Sequence, residues 1–323
     1  MKTLEKFEYP PELLPVFKKA KKLEWMTIVY LIITSLLVFV TMGSSQAMKT
    51  AWFEDILSLT PAISFLIASR LVQKEPNKEF PYGYHKVASI AYLVSAVALF
   101  VVGGFLLVDS AMTLIKQEHP TIGIVVIFGR EVWLGYMMML VMFWGTVPSF
   151  ILGKMKLPLA KALHEKNLYT DAQMNKADWM TAAAAIGGIW GIGMGWWWAD
   201  ATAALIISLD ILKDGFTNLK QAVYDLIDQT PKKVDDQEDD PLLKDVHNIF
   251  EKQPWVEDFT FRMREEGHIY LGEGFVKAHH SQEEENLPLR IQQLKKEVED
   301  LSWRIHEFVI TPVLKVNKEG EEE

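Results

Sequence analysis

Cysteine is absent from this 323-residue chain, so thiolate metal sites and disulfides are both excluded and the redox compartment stays open. Charge is missing over long stretches. From about residue 24 to 216 the chain is built of apolar runs, and the first, Trp25 to Gly43 (WMTIVYLIITSLLVFVTMG), has no charged residue at all. Phosphate loops, a dinucleotide fingerprint and a nucleophile–base pairing are also missing, which leaves no grounds for an enzyme. Basic charge is outnumbered: 33 Lys and Arg face 42 Asp and Glu, a formal net charge of -9. The excess acid lies largely in the C-terminal half, in clusters at 235–240, 283–285 and 321–323, which excludes a nucleic-acid surface. The first 23 residues are charged and contain proline, without the apolar core and cleavage site of a signal peptide.

What is present is a series of six apolar segments. After Trp25 to Gly43 they run from about Ala51 to Val72, Val87 to Ile115, Val132 to Leu152, Asp171 to Ile192 and Trp196 to Leu212. The first carries no charge and is long enough to cross the hydrocarbon core of a bilayer. Basic residues flank these segments unevenly. Lys18, Lys19, Lys21, Lys22, Arg70, Lys74, Lys78, Lys86, Lys154, Lys156, Lys161 and Lys166 fall on one side, and only Lys49, Lys116 and Arg130 on the other. The excess marks the cytoplasmic side and places both termini there. Trp196, Trp197 and Trp198 then serve as anchors at the outer boundary.

The stretch KNLYTDAQMNKADWMTAAAAIGGIW, Lys166 to Trp190, carries the chemistry. On a helix, Asp171, Met174 and Asp178 share one face. A carboxylate inside a membrane helix is costly and marks an ion or proton path. The alternative is that the membrane begins after Asp178 and both acids lie among headgroups. Met137, Met138, Met139 and Met142 read as flexible packing. Asp109 and Glu131 lie near an outer mouth, and His85 and Lys86 anchor a loop at the interface.

Beyond Lys233, VDDQEDD reads as a solvated linker. Helical spacing at Pro241 to Glu251, alternation at Phe259 to Met263, a turn at Glu266-Gly267, a strand from His268 to His279, a helix from Leu289 to Leu301 and a strand from Trp303 to Leu314 follow. This order predicts a small α-β-β-α-β sandwich of about 75 residues, which gains from dimerisation. Each of His247, His268, His279, His280 and His306 reads as a packed or surface residue before it reads as a metal ligand.

Six spans, a cytoplasmic N-terminus and this tail resemble the cation diffusion facilitator family. PYGYHK (Pro81 to Lys86) is similar to its signature ahead of the third helix, WADATAA (Trp198 to Ala204) to its sixth-helix pattern, and TDAQMNKAD (Thr170 to Asp178) to its fifth-helix Ala-Asp-Ala-x-His-x-x-x-Asp pattern. Ser45 through Arg70 to Tyr82 aligns on the second helix and its loop. The resemblance implies a membrane α-helical bundle of six transmembrane helices with a C-terminal cytoplasmic α/β domain, ferredoxin-like in order. The organisation expected is a cytoplasmic segment at 1–23, the efflux domain at 24–216, a linker at 217–240, a dimerisation domain at 241–316 and an acidic tail at 317–323.

The resemblance further implies a homodimer in a lipid bilayer, in a prokaryotic inner membrane. It would export a divalent metal cation in exchange for protons, with zinc, manganese, iron and cobalt not distinguished and no cofactor. Family zinc members hold metal with two ligands on the second helix and His-x-x-x-Asp on the fifth, a set that suits a tetrahedron. The matched positions here are Glu54, Ser58, Met174 and Asp178. Serine thus replaces a carboxylate and methionine the imidazole, the group that titrates nearest neutral pH. Asp55 and Asp171 are further carboxylates close to this set, and Asp171 is also placed to guide ions at a mouth. The retained carboxylates favour a transporter of altered selectivity. The lost ligands keep open a non-transporting member that acts as a membrane regulatory or assembly partner.

Overall fold

A computed structural model describes residues 6–41, 52, 55–117, 122–127, 129–235, 238–279 and 286–316. Glu54, Lys49, His280, the cluster 283–285 and the tail 317–323 lie outside the described residues. Among the described residues, the bounded helices of the N-terminal region are α1 (Leu14–Thr41), α2 (Leu59–Leu71), α3 (Lys86–Lys116), α4 (Leu134–Leu163), α5 (Lys166–Gly193) and α6 (Ala199–Leu226). A helical turn at 55–57 leads into α2. Of these, α1, α3 and α4 are long and apolar enough to cross a membrane. The helices α5 and α6 are of spanning length, about 42 Å at 1.5 Å per residue, but each carries a polar stripe along part of its length.

The polar stripes decide the packing. The first half of α5 buries Lys166, Asn167, Thr170, Asp171, Asn175 and Asp178 as well as its apolar residues, so that helix turns its polar side inward. It lies along α4, while α3 lies along α6. The α3–α6 contact brings backbones together: a Cβ on Gly103 would stand 2.6 Å from the Leu212 amide nitrogen, and one on Gly215 2.6 Å from the Phe100 Cα. Small residues permit this approach where lipid gives no hydrophobic drive to association.

Between α3 and α4 a short hairpin, β1 (Ile124–Ile127) and β2 (Arg130–Trp133), pairs antiparallel. It turns at Gly129, whose φ of 74° suits glycine. The apolar-run reading had passed over it. Trp133 lies against the Gly193 end of α5, which fixes that end of the bundle.

The opposite end carries the C-terminal part. There α7 (Pro241–Glu251), β3 (Val256–Glu266), β4 (Ile269–Ala278), α8 (Leu287–Glu299) and β5 (Ile305–Pro312) occur in the expected order. The sheet order is β3-β4-β5, with β3 antiparallel and β5 parallel to β4. Val246, Phe250, Tyr270, Val276, Leu294, Val298 and Phe308 form its core.

Two expectations change here. The sixth helix does not end near 212 but continues to Leu226, because the expected linker begins with helical sequence. The acidic run is not simply solvated. Asp240 is buried, caps α7 through the Leu242 amide at 3.0 Å and pairs with Arg304. Burial opposes its ionisation, but the Leu242 amide, Arg304 and the Tyr270 hydroxyl outweigh this and hold its carboxyl below the usual carboxylate range.

The C-terminal part is docked rather than tethered. Lys166, at the start of α5, donates to Asp225 of α6 at 2.8 Å and to Glu265 of β3 at 2.9 Å, all three buried. The β3–β4 turn lies on the start of α3, where the Gly267 amide donates to Ser89 at 3.0 Å. His85, expected at a membrane interface, is instead buried in this contact. Its ring meets Phe7 of the N-terminal segment and His268 and His306 of the folded tail, which together cover it. Burial, then the neighbouring His268 and His306, push its pKa from 6.5 down to about 3. Lys86 pairs with Asp228 and Glu266.

Candidate metal centre

The helix α5 is placed so that Asp178 faces the start of α2. Ser58 donates to Asp178 Oδ1 at 2.7 Å, and both residues are buried. The second oxygen, Asp178 Oδ2, is buried with no partner among the described residues, and so is Asp55 Oδ2. Asp55 and Asp178 lie close enough for their charges to interact, with the Tyr30 hydroxyl nearby. A buried carboxylate without a counter-charge is costly. Two such carboxylates that share one polar spot are a setting for a cation. Among the described residues no group of three or more His, Asp or Glu is placed to hold a metal ion.

The other matched positions fall differently. Met174 is fully buried, but among Ala98, Leu99, Val102 and Leu106 of α3, Ala177 of α5 and Ile211 of α6, with Leu57 packed against the same cluster. Its sulfur therefore sits in an apolar environment. Lys176, between Met174 and Asp178 in sequence, turns away and pairs with Asp210 at 2.7 Å and Asp214 at 3.3 Å on α6. This is what helical geometry requires of residues two apart.

Asp171 is committed elsewhere. It pairs with Lys156 of α4, which also donates to Glu24 of α1 at 3.3 Å. All three side chains are 0% exposed. This cluster escaped sequence reading. Glu24 directly precedes an uncharged run and Lys156 lies near the end of another, so both look like headgroup-level charges. Lys156 and Lys166 had counted toward the basic flank, yet both are buried in ion pairs. The one available signal is phase, since Asp171 shares a helix face with Asp178 and so must be buried with it.

Residues 25–227, more than half of the chain, match a family model described as the cation efflux transmembrane domain. The chain is 22% identical over 200 residues to the manganese efflux system protein MneS of Bacillus subtilis (strain 168), a match covering 62% of this chain and 65% of that protein. It is 26% identical over 189 residues to the magnetosome protein MamM of Magnetospirillum gryphiswaldense, covering 58% of this chain and 56% of that protein. The chain thus spans less than two thirds of the length of each of these relatives. Three helices of spanning length and a transmembrane family model make it a membrane protein. The chain belongs to the cation efflux family.

Proposed function

We propose that this protein exports a divalent metal cation from the cytoplasm in exchange for protons. The cation would bind between α2 and α5, held by Asp178, Ser58, Asp55 and Glu54. The observation that carries the reading is the pair of buried oxygens, Asp178 Oδ2 and Asp55 Oδ2, that have no partner among the described residues, with Ser58 bonded to the other oxygen of Asp178. With Met174 turned into an apolar cluster, the donors are all oxygen. Carboxylate and hydroxyl oxygens suit a hard ion such as manganese better than zinc, in keeping with the name of the Bacillus relative. In this reading α1 to α6 are the six transmembrane helices, 241–316 is a cytoplasmic ferredoxin-like dimerisation domain, and both termini are cytoplasmic.

The experiment is metal-driven proton flux in vesicles containing the purified protein, across a panel of divalent ions. Flux with manganese that Asp178→Ala and Glu54→Ala both abolish supports the reading. A folded protein that moves none of the ions sinks it and favours the second reading, a membrane regulatory partner. That alternative draws on the lack of a three-ligand cluster among the described residues.

A further inference from the structure

One face of α5 carries two buried carboxylates, and the second has its own chemistry. Asp171 lies seven residues before Asp178, about 10 Å nearer the end on which the C-terminal part docks. It meets Glu24 of α1 across the ammonium of Lys156, and none of the three is exposed. The three residues carry two carboxylates for one ammonium. Each carboxylate uses one oxygen on Lys156, while Glu24 Oε1 and Asp171 Oδ1 have no partner among the described residues. Asn175, one turn further along α5, donates to the Asp171 carbonyl at 2.8 Å and leaves its own Oδ1 without a partner among the described residues.

A buried charge persists when it is compensated, and here a single ammonium serves two carboxyl groups that lie within reach of each other. An ion of charge two would neutralise both. The donors are hard oxygens on two different helices, as magnesium, calcium and manganese require. Lys156 therefore has the position of a tethered cation in a basket whose remaining oxygens still point inward.

We propose that Glu24 and Asp171 form a second intramembrane cation site, for a hard divalent ion, which Lys156 fills with its own ammonium in this conformation. When Lys156 swings out, an ion can take its place. When it returns, the ion is displaced toward the next carboxylates, and the helices α1, α4 and α5 are pinned together again. This role as a waypoint rests on the transport reading. The existence of the site does not, since Glu24 and Asp171 hold Lys156 through their own carboxylates, whereas Asp178 is bonded to Ser58.

The test is manganese content of the full-length protein in lipid nanodiscs after equilibrium dialysis, with every variant carrying Asp178→Asn to silence the first site. Adding Lys156→Met is expected to raise the bound manganese by about one ion per chain. Adding Glu24→Gln as well removes that gain, and Lys156→Arg, which keeps a cation in place, produces none. No gain in folded Lys156→Met overturns the proposal and leaves a proton as the balancing charge. If Lys156→Met unfolds without metal, the same ion is added during thermal unfolding. A rise in Tm larger than that of the Lys156 parent supports the site, and no rise overturns it. A manganese gain that persists while Asp178→Asn still transports would sink the transport reading and leave this site standing.

Discussion

Asp171 and Asp178 are the same residue type, on the same face of the same helix, and both are buried. What separates them is the partner. Asp171 is met by an ammonium held between α1 and α4, whereas Asp178 is met by a serine hydroxyl and by another carboxylate within electrostatic reach. The first arrangement compensates charge inside the protein and ties three helices together. The second leaves charge to be compensated from outside. A helix can thus carry, two turns apart, one carboxylate that an internal ammonium occupies in this conformation and one that meets no ammonium directly, and the neighbouring helices decide which is which.

The comparison is most easily broken by removing the ammonium. Lys156→Met leaves Glu24 and Asp171 buried without a counter-charge, and losing one partner of a buried ion pair costs about 3–5 kcal/mol. Unfolding in detergent by heat or urea, in metal-free buffer, measures the loss, and adding Glu24→Gln recovers part of it. A cost below about 1 kcal/mol would mean that the triad is no more than a surface-like ion pair.

Asp178→Asn is expected to do the reverse. It removes a carboxylate that makes no direct ion pair among the described residues, its one side-chain bond being to Ser58, so stability changes by no more than about 1 kcal/mol. Manganese-driven flux falls by about 100-fold, equivalent to about 2.7 kcal/mol. Flux and unfolding measured on the same preparations settle the matter. If Asp178→Asn proves strongly destabilising and Lys156→Met does not, the two roles are exchanged.

This division was only half legible in the sequence. The apolar segments and the order of the C-terminal elements follow from periodicity. Pro241 to Glu251, which begins with a capping Asp240 and a proline in the first turn, was bounded correctly. Ser58 and Asp178, two of the four matched positions, lie within hydrogen-bond distance of each other. What escaped was pairing across sequence distance. Nothing local says that Lys156 reaches both Glu24, 132 residues away, and Asp171. Nor does the loop PYGYHK reveal that His85 is covered by Phe7 and His306. The extension of α6 to Leu226 was missed for another reason: it leaves the apolar stretch while keeping helical phase, and hydropathy alone ends the segment too early.

The comparison can be sharpened outside the bundle, where His85 is a third buried titratable group, kept neutral by burial instead of being paired. Its neighbours are Phe7 and Tyr9 from the N-terminal segment, His268 with its partner Glu165, His306 on β5, and beyond them Lys86 and Glu266. Its folded pKa of about 3 lies below the ordinary 6.5, so the native state binds fewer protons than the unfolded one. It therefore costs nothing above about pH 6.5, and docking weakens as pH falls from 6.5 toward 3. Fluorescence of Trp303, which packs against Phe7 and Tyr9, reports the release. His85→Phe flattens the pH dependence, and an unchanged profile would shift the effect to other groups.

The smallest effect is expected at Met174, although the resemblance matches it to the histidine of the family's zinc members. Met174 is enclosed by Ala98, Leu99, Val102 and Ile211, so a side chain of similar volume should serve as well. Met174→Leu is expected to change stability by less than about 1.5 kcal/mol and manganese flux by less than about threefold, since a loss below about 0.7 kcal/mol in the barrier is all that repacking supplies. The measurement is the same vesicle assay used for Asp178→Asn. A loss comparable to that of Asp178→Asn would show that the thioether reaches the ion during the cycle. The all-oxygen site would then give way to a softer one, and copper or zinc would replace manganese as the ion to test first.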